Sequence, residues 1–182
     1  MTKNIRLFAL SLAVMAFSVT GIMAATVSGE SQKTLEKQIQ TKILTMPYYG
    51  VFDSIAFQID GGTVILSGKV YNGINRKTAQ SRVSRLKGVT EVINNIEILP
   101  PSNFDDRIRR ATVRGLLNTG GIYRFLIGPT PSMRIIVDNG HLTLEGNVAT
   151  KGDVRIAYIV ARGVPGVFSV TNNLKVSNSK KL

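Results

Sequence analysis

The chain has 182 residues, with 23 Lys and Arg against 11 Asp and Glu, and so a formal net charge of +12. It has no Cys and one His, which removes disulfides, thiol catalysis, a lipid-bearing cysteine and the common zinc sites built from several Cys or His ligands. A surface this basic seeks polyanions.

At the N-terminus, Lys3 and Arg6 precede an apolar run from Leu7 to Met23, interrupted by Ser11, Ser18, Thr20 and Gly21 and followed by Ala24 and Ala25. That order is the pattern of an export signal peptide over residues 1–25. Cleavage after Ala24 or Ala25 leaves Ile22 or Met23 at the third position before the cut, neither of them small. The competing reading is an uncleaved anchor, for which the run lies at the short end of a span. Loss of Lys3 and Arg6 lowers 23 basic residues to 21 and the net charge to +10. For an exported protein the expected compartment is the periplasm. The nearest polyanions there are anionic lipid headgroups or lipopolysaccharide rather than nucleic acid.

The next segment carries Leu35, Ile39, Ile43 and Leu44 on one helical stripe. An alternating strand with Ile55, Phe57 and Ile59 leads into the turn Asp60-Gly61-Gly62 and a second strand with Val64 and Leu66. Gly68 breaks that alternation, which predicts a bulge or a close backbone approach. A second helix buries Ala79, Val83 and Leu86 and is expected to stop at Lys87-Gly88. Val92, Ile96 and Ile98 mark a third strand, and Pro100-Pro101-Ser102-Asn103 makes a short, stiff linker.

The order then recurs. With a shift of 78, Gly62, Leu66, Gly68 and Val70 fall on Gly140, Leu144, Gly146 and Val148. In the same register Gly88-Val89 falls on Gly166-Val167, Val92 on Val170, and Asn94-Asn95 on Asn172-Asn173. One register over so long a stretch is an internal duplication. The fold class is therefore α+β: two tandem α-β-β-α-β domains, residues 31–99 and 104–177 with linker 100–103, each placing two helices on one face of a three-stranded mixed sheet. The second copy opens with Ile108, Thr112, Leu116 and Leu117, and its strands carry Met133, Ile135, Val137, then Leu142 and Leu144, then Val170, Leu174 and Val176.

Groups for catalysis are scarce. His141 follows a turn and reads as a solvated turn residue, matched by Thr63 in the first copy. Asp60 and Asp138 sit where a carboxylate accepts local turn N–H groups, and Asp105-Asp106 sit in a helical first turn. No phosphate loop, dinucleotide fingerprint or nucleophile elbow is present, and no catalytic residue, metal site or cofactor is expected.

Binding surfaces are easier to find. On the second helix of the second copy, Val154, Ile156, Tyr158, Ile159 and Val160 stand where the first copy has Arg76, Thr78, Gln80, Ser81 and Arg82. A helix apolar all round is covered all round, so this outer face should meet the other repeat, a protein partner or lipid, with Arg155 and Arg162 at its edges. The loop NTGGIYRFLIGPTPS, residues 118–132, places Tyr123, Arg124, Phe125, Leu126 and Ile127 between glycines. It suits either a bilayer interface or protein pocket, or folding back over the second core. Tyr48 and Tyr49 are analogous in the first copy, and Arg107, Arg110 and Arg114 recur at helical spacing.

The hairpin DGGTVILSGKV with KGVTEVINNIEI, and again DNGHLTLEGNV with PGVFSVTNNLKV, resemble the BON domain. An export signal followed by two such domains is similar to dual-BON envelope proteins, including the osmotically induced periplasmic type. The chain departs from the lipoprotein members in lacking Cys and from the soluble type in being strongly basic. The resemblance implies a non-enzymatic module that binds anionic phospholipid surfaces and contributes to envelope integrity or osmotic-stress tolerance. The alternative it implies is a periplasmic chaperone-like or protein-interaction module, engaging envelope proteins or unfolded clients or serving a secretion assembly. It implies structural roles for Gly62, Gly68, Gly88, Gly140, Gly146 and Gly166. Nucleic-acid binding of the KH type is disfavoured, because no GxxG loop joins two helices.

Overall fold

A computed structural model describes residues 21–177; the expected export signal lies outside them up to residue 20. Helix α1 (Gly21–Leu44), strands β1 (Ser54–Asp60) and β2 (Thr63–Val70), helix α2 (Gly73–Val83) and strand β3 (Glu91–Ile98) form the first repeat. Helix α3 (Asn103–Leu117), strands β4 (Met133–Asp138) and β5 (His141–Val148), helix α4 (Lys151–Arg162) and strand β6 (Ser169–Val176) form the second. Each sheet pairs its hairpin antiparallel and its last strand parallel to the hairpin's second strand, in the orders β1-β2-β3 and β4-β5-β6.

Each core lies between one sheet face and its helices. Ile39 and Ile43 meet Val64, Leu66, Val83 and Ile96 in the first, while Ile108 and Leu116 meet Ile135, Leu142, Leu144 and Ala157 in the second. The duplication extends to single hydrogen bonds. The Asn94 amide donates to the Arg76 carbonyl, and the Asn172 amide donates to the Val154 carbonyl, both at 3.0 Å. Each Asn oxygen also accepts the N–H two residues on, from Ile96 and Leu174. This tethers the closing strand to the second helix of the same repeat.

Two glycines are required by close approach. Gly68 and Gly146 have φ of 113° and 107°, and a Cβ at either would overlap the backbone carbonyl of Ser54 or Ser132. Strain and backbone collision act together, so Gly146→Ala should lower unfolding free energy by about 3–4 kcal/mol. Gly120→Ala, with nothing near the added methyl, should stay within roughly 0.5 kcal/mol. Urea unfolding of the two variants measures the difference.

Several expectations are corrected here. Helix α2 ends at Val83, not at Lys87-Gly88; Ser84 caps it, and Leu86 and Gly88 belong to a following turn in which Gly88 has φ 93°. Leu117 is exposed, because the α3 stripe ends at Leu116. The turn N–H groups of Asn139 and Gly140 are bound not by Asp138 but by Asp105, whose fully buried carboxylate reaches across from α3 at 3.0 and 2.8 Å.

The repeats dock through the loop at residues 49–51 and through polar and charged side chains that lie outside the apolar stripes. The Val51 carbonyl accepts the N–H of Ile135 at 2.7 Å, and the Gly50 carbonyl accepts from Arg134 at 2.9 Å. The Arg134 guanidinium lies over the Tyr49 ring at 4.6 Å, and the buried Arg109 over the Tyr71 ring at 5.0 Å. Lys69 pairs with Asp138 at 2.5 Å, and Ser54 bonds to Glu145. Burial raises the Tyr49 pKa and lowers that of Arg134, while the bond to Asp138 raises that of Lys69. Arg134 and Ile136 are consequently buried on the sheet face away from the helices, where their counterparts Ala56 and Gln58 are exposed.

Candidate functional site

Helix α4 is built to be held firmly. Thr150 and Asp153 form a reciprocal capping box, with the Asp153 N–H donating to Thr150 Oγ1 at 3.1 Å and the Thr150 N–H donating to the Asp153 carboxylate at 2.8 Å. Ala157 and Ala161 are fully buried against the sheet, and Val164 beyond the helix is also buried. Val160 faces α3 instead, where a Cβ on Gly115 would come within 3.0 Å of it. Two of the helix's apolar faces are thereby used.

The third is not. Ile159 is 62% exposed and Ile156 38% exposed, Tyr158 is half-buried, and Arg155 and Arg162 are exposed. Of the coverings expected from the sequence, the other repeat is therefore removed. The first repeat occupies β4 and α3, and leaves the outer side of α4 open.

The 118–132 loop divides in two. Ile122, Phe125 and Leu126 are buried in the second core. This corrects the expectation that Phe125 and Leu126 contact lipid or a partner: a short 3-10 turn, Tyr123–Phe125, folds their side chains inward. Tyr123 and Ile127 remain about half exposed, at 48% and 54%. Arg124 covers the Phe125 ring at 4.6 Å and pairs with Asp153 at 3.2 Å. That pair fastens the loop beside the start of α4, bringing Tyr123 and Arg124 to the helix that carries Arg155 and Ile156. In the first repeat Tyr48 is exposed, but Tyr49 is occupied in docking.

Electrostatics sharpen the picture. All five carboxylates of residues 104–177 are engaged within the protein: Asp105 by the turn, Asp106 by Arg109, Asp138 by Lys69, Glu145 by Ser54, and Asp153 by its cap and Arg124. Arg107, Arg110, Arg114, Lys151, Arg155, Arg162 and Lys175 are all exposed, and none has an acidic partner among the described residues. Arg110 and Arg114 flank a shallow groove of about 350 Å³ floored by Phe52, Val113 and Leu117. His141 is exposed as expected, its Nδ1 2.7 Å from Ser169 Oγ. Among the described residues no group of His, Asp and Glu could hold a metal ion.

The BON domain profile matches residues 31–100 and again 105–178, which is most of the chain. The chain belongs to the BON domain family. BON domains are non-catalytic modules, generally associated with binding at membrane surfaces. No curated protein matches the chain. Among solved structures, the C-terminal domain of CdsD, a structural protein of the type III secretion system of Chlamydia trachomatis, is 13% identical, with 79% of this chain and 97% of that chain covered at a TM-score of 0.32. A second CdsD structure from the same organism gives 13% identity, 80% and 94% coverage and a TM-score of 0.31.

Within the second BON domain the structure adds residues that sequence reasoning missed. The roles of Asp105 and Arg109 were hidden because a buried charge on a helix looks like any surface charge in a sequence. Phe168, 70% exposed, had a visible signal: the 78-residue register sets it against Thr90.

Proposed function

We propose that this protein is a non-enzymatic periplasmic module whose second BON domain binds anionic phospholipid surfaces, contributing to envelope integrity or osmotic-stress tolerance. The observation that carries the reading is the open side of α4, where Ile159 and Ile156 are exposed between Arg155 and Arg162 while the carboxylates of the same domain are all engaged within the protein. Tyr158, Tyr123 and Arg124 extend that surface, and Arg107, Arg110 and Arg114 add charge from α3. No helix among the described residues is long and apolar enough to cross a membrane, and the association proposed for the second domain is a peripheral one.

The energetics suit reversible attachment. Each cation near an anionic surface contributes about 1 kcal/mol, falling off within a Debye length, and two partly exposed isoleucines add roughly 1–2 kcal/mol each on burial. Co-sedimentation with vesicles tests this. Binding is expected to phosphatidylcholine vesicles containing phosphatidylglycerol and not to phosphatidylcholine alone, and to weaken steadily as salt is added. Equal binding to both vesicles, or none to either, would sink the proposal.

A further inference from the structure

Phe168 is the most exposed large apolar side chain among the described residues, and the α4 surface does not account for it. It immediately precedes β6, whose first residue, Ser169, pairs with His141. Phe168 therefore stands at the hairpin end of the second domain, with the Asn139-Gly140 turn. Its ring lies 5.6 Å from that of Phe104, near the start of α3, and 6.1 Å from the His141 ring, edge to face. Arg107 lies over Phe104 at 5.7 Å.

The base under these rings is glycine. A Cβ on Gly140 would come within 2.6 Å of the Phe168 ring, and one on Gly166 within 3.3 Å of Phe104. Both glycines have positive φ, 78° and 89°. The rings thus rest directly on backbone, which holds Phe168 outward in a fixed place. In the first domain the corresponding residues are Thr90 and Thr63, with Thr90 seated on Gly62. The same backbone site is small and polar in one domain and an exposed phenyl in the other.

The carboxylates at this end are engaged, Glu97 of the first domain sharing Lys69 with Asp138. Asp105 is buried on the turn N–H groups and Asp138 is paired with Lys69, whereas Arg107 and Arg162, the last residue of α4, are exposed without acidic partners. An exposed phenyl among cations fits a surface that is anionic outside and apolar beneath. We infer that the hairpin end of the second BON domain enters the bilayer, with the Phe168 ring among the acyl chains of an anionic membrane and Arg107 and Arg162 held at the headgroups. The inference rests on the lipid-binding reading and gives it an orientation and a depth.

The chain has no Trp, so Phe168→Trp creates a single fluorophore. On phosphatidylglycerol vesicles its emission should shift to the blue and be quenched by lipids brominated on their acyl chains. Thr90→Trp, at the matching place in the first domain, should keep its emission in buffer. Phe168→Asp, a change at an exposed position, should lower vesicle affinity about tenfold while the protein still unfolds cooperatively at a midpoint only slightly lowered by the lost contact with Phe104. If the protein sediments with vesicles while Trp at 168 stays unshifted and unquenched, or if Phe168→Asp binds as tightly as the parent, the inference is overturned and the lipid reading stands. If nothing sediments, both fall.

Discussion

Replacing Ile156 and Ile159 together by Asp is expected to reduce affinity for phosphatidylglycerol vesicles by about thirtyfold or more while leaving the fold intact. The estimate follows from losing two apolar contacts of roughly 1–2 kcal/mol each and adding two like charges facing an anionic surface. Both side chains protrude, at 38% and 62% exposure, so neither substitution buries a charge. Circular dichroism and the thermal midpoint should be nearly those of the parent. A variant that loses vesicle binding because it no longer folds would mean that these side chains are covered within the protein, contrary to the structure.

The second large effect concerns the joint between the domains. Arg109 is almost fully buried, pairs with Asp106 at 2.6 Å, donates to the Val137 carbonyl and stacks on Tyr71 of the first domain. Arg109→Ala leaves a half-shielded carboxylate and a buried carbonyl without their donor. Removing one side of such a pair costs about 3 kcal/mol. For a unit of this size that lowers the thermal midpoint by roughly 10 °C. Arg110→Ala, one residue on and exposed, should change the midpoint by no more than about 2 °C, yet weaken vesicle binding slightly through its lost charge. The two neighbouring arginines thereby separate fold from surface: a calorimetric scan that ranks them the other way would refute the docking described.

How much of this lay open in the sequence depends on which physical signal each feature leaves. The repeated unit was legible because glycine turns and strand alternation are local: Gly68 and Gly146 announce themselves by interrupting a strand, and their carbonyl collisions explain why no other residue fits there. The open face of α4 was legible because Ile156 and Ile159 stand where the first repeat has Thr78 and Ser81. Docking of the repeats was not, since its backbone acceptors at Gly50 and Val51 carry no side-chain signature and its charged contacts, such as Lys69 with Asp138, look like any surface charges in a sequence. Its one trace was the exchange of Ala56 and Gln58 for Arg134 and Ile136 on a nominally open sheet face. Phe125 and Leu126 were misplaced for a related reason: in a loop, apolar residues read the same whether they fold inward or outward. Here the extra length of the 118–132 loop serves the second core, and leaves only Tyr123, Arg124 and Ile127 outside.

Because the chain has no native Cys, single cysteines bearing a nitroxide can report membrane depth position by position on the intact protein. With the protein bound to phosphatidylglycerol vesicles, labels at 156 and 159 should sit at the headgroup–acyl boundary, shielded from aqueous relaxants and accessible to oxygen. Labels at 78 and 81, the same helical places in the first domain, should remain in water. Labels at 156 and 159 that stay as water-exposed as those at 78 and 81 on a vesicle-bound protein would contradict the account.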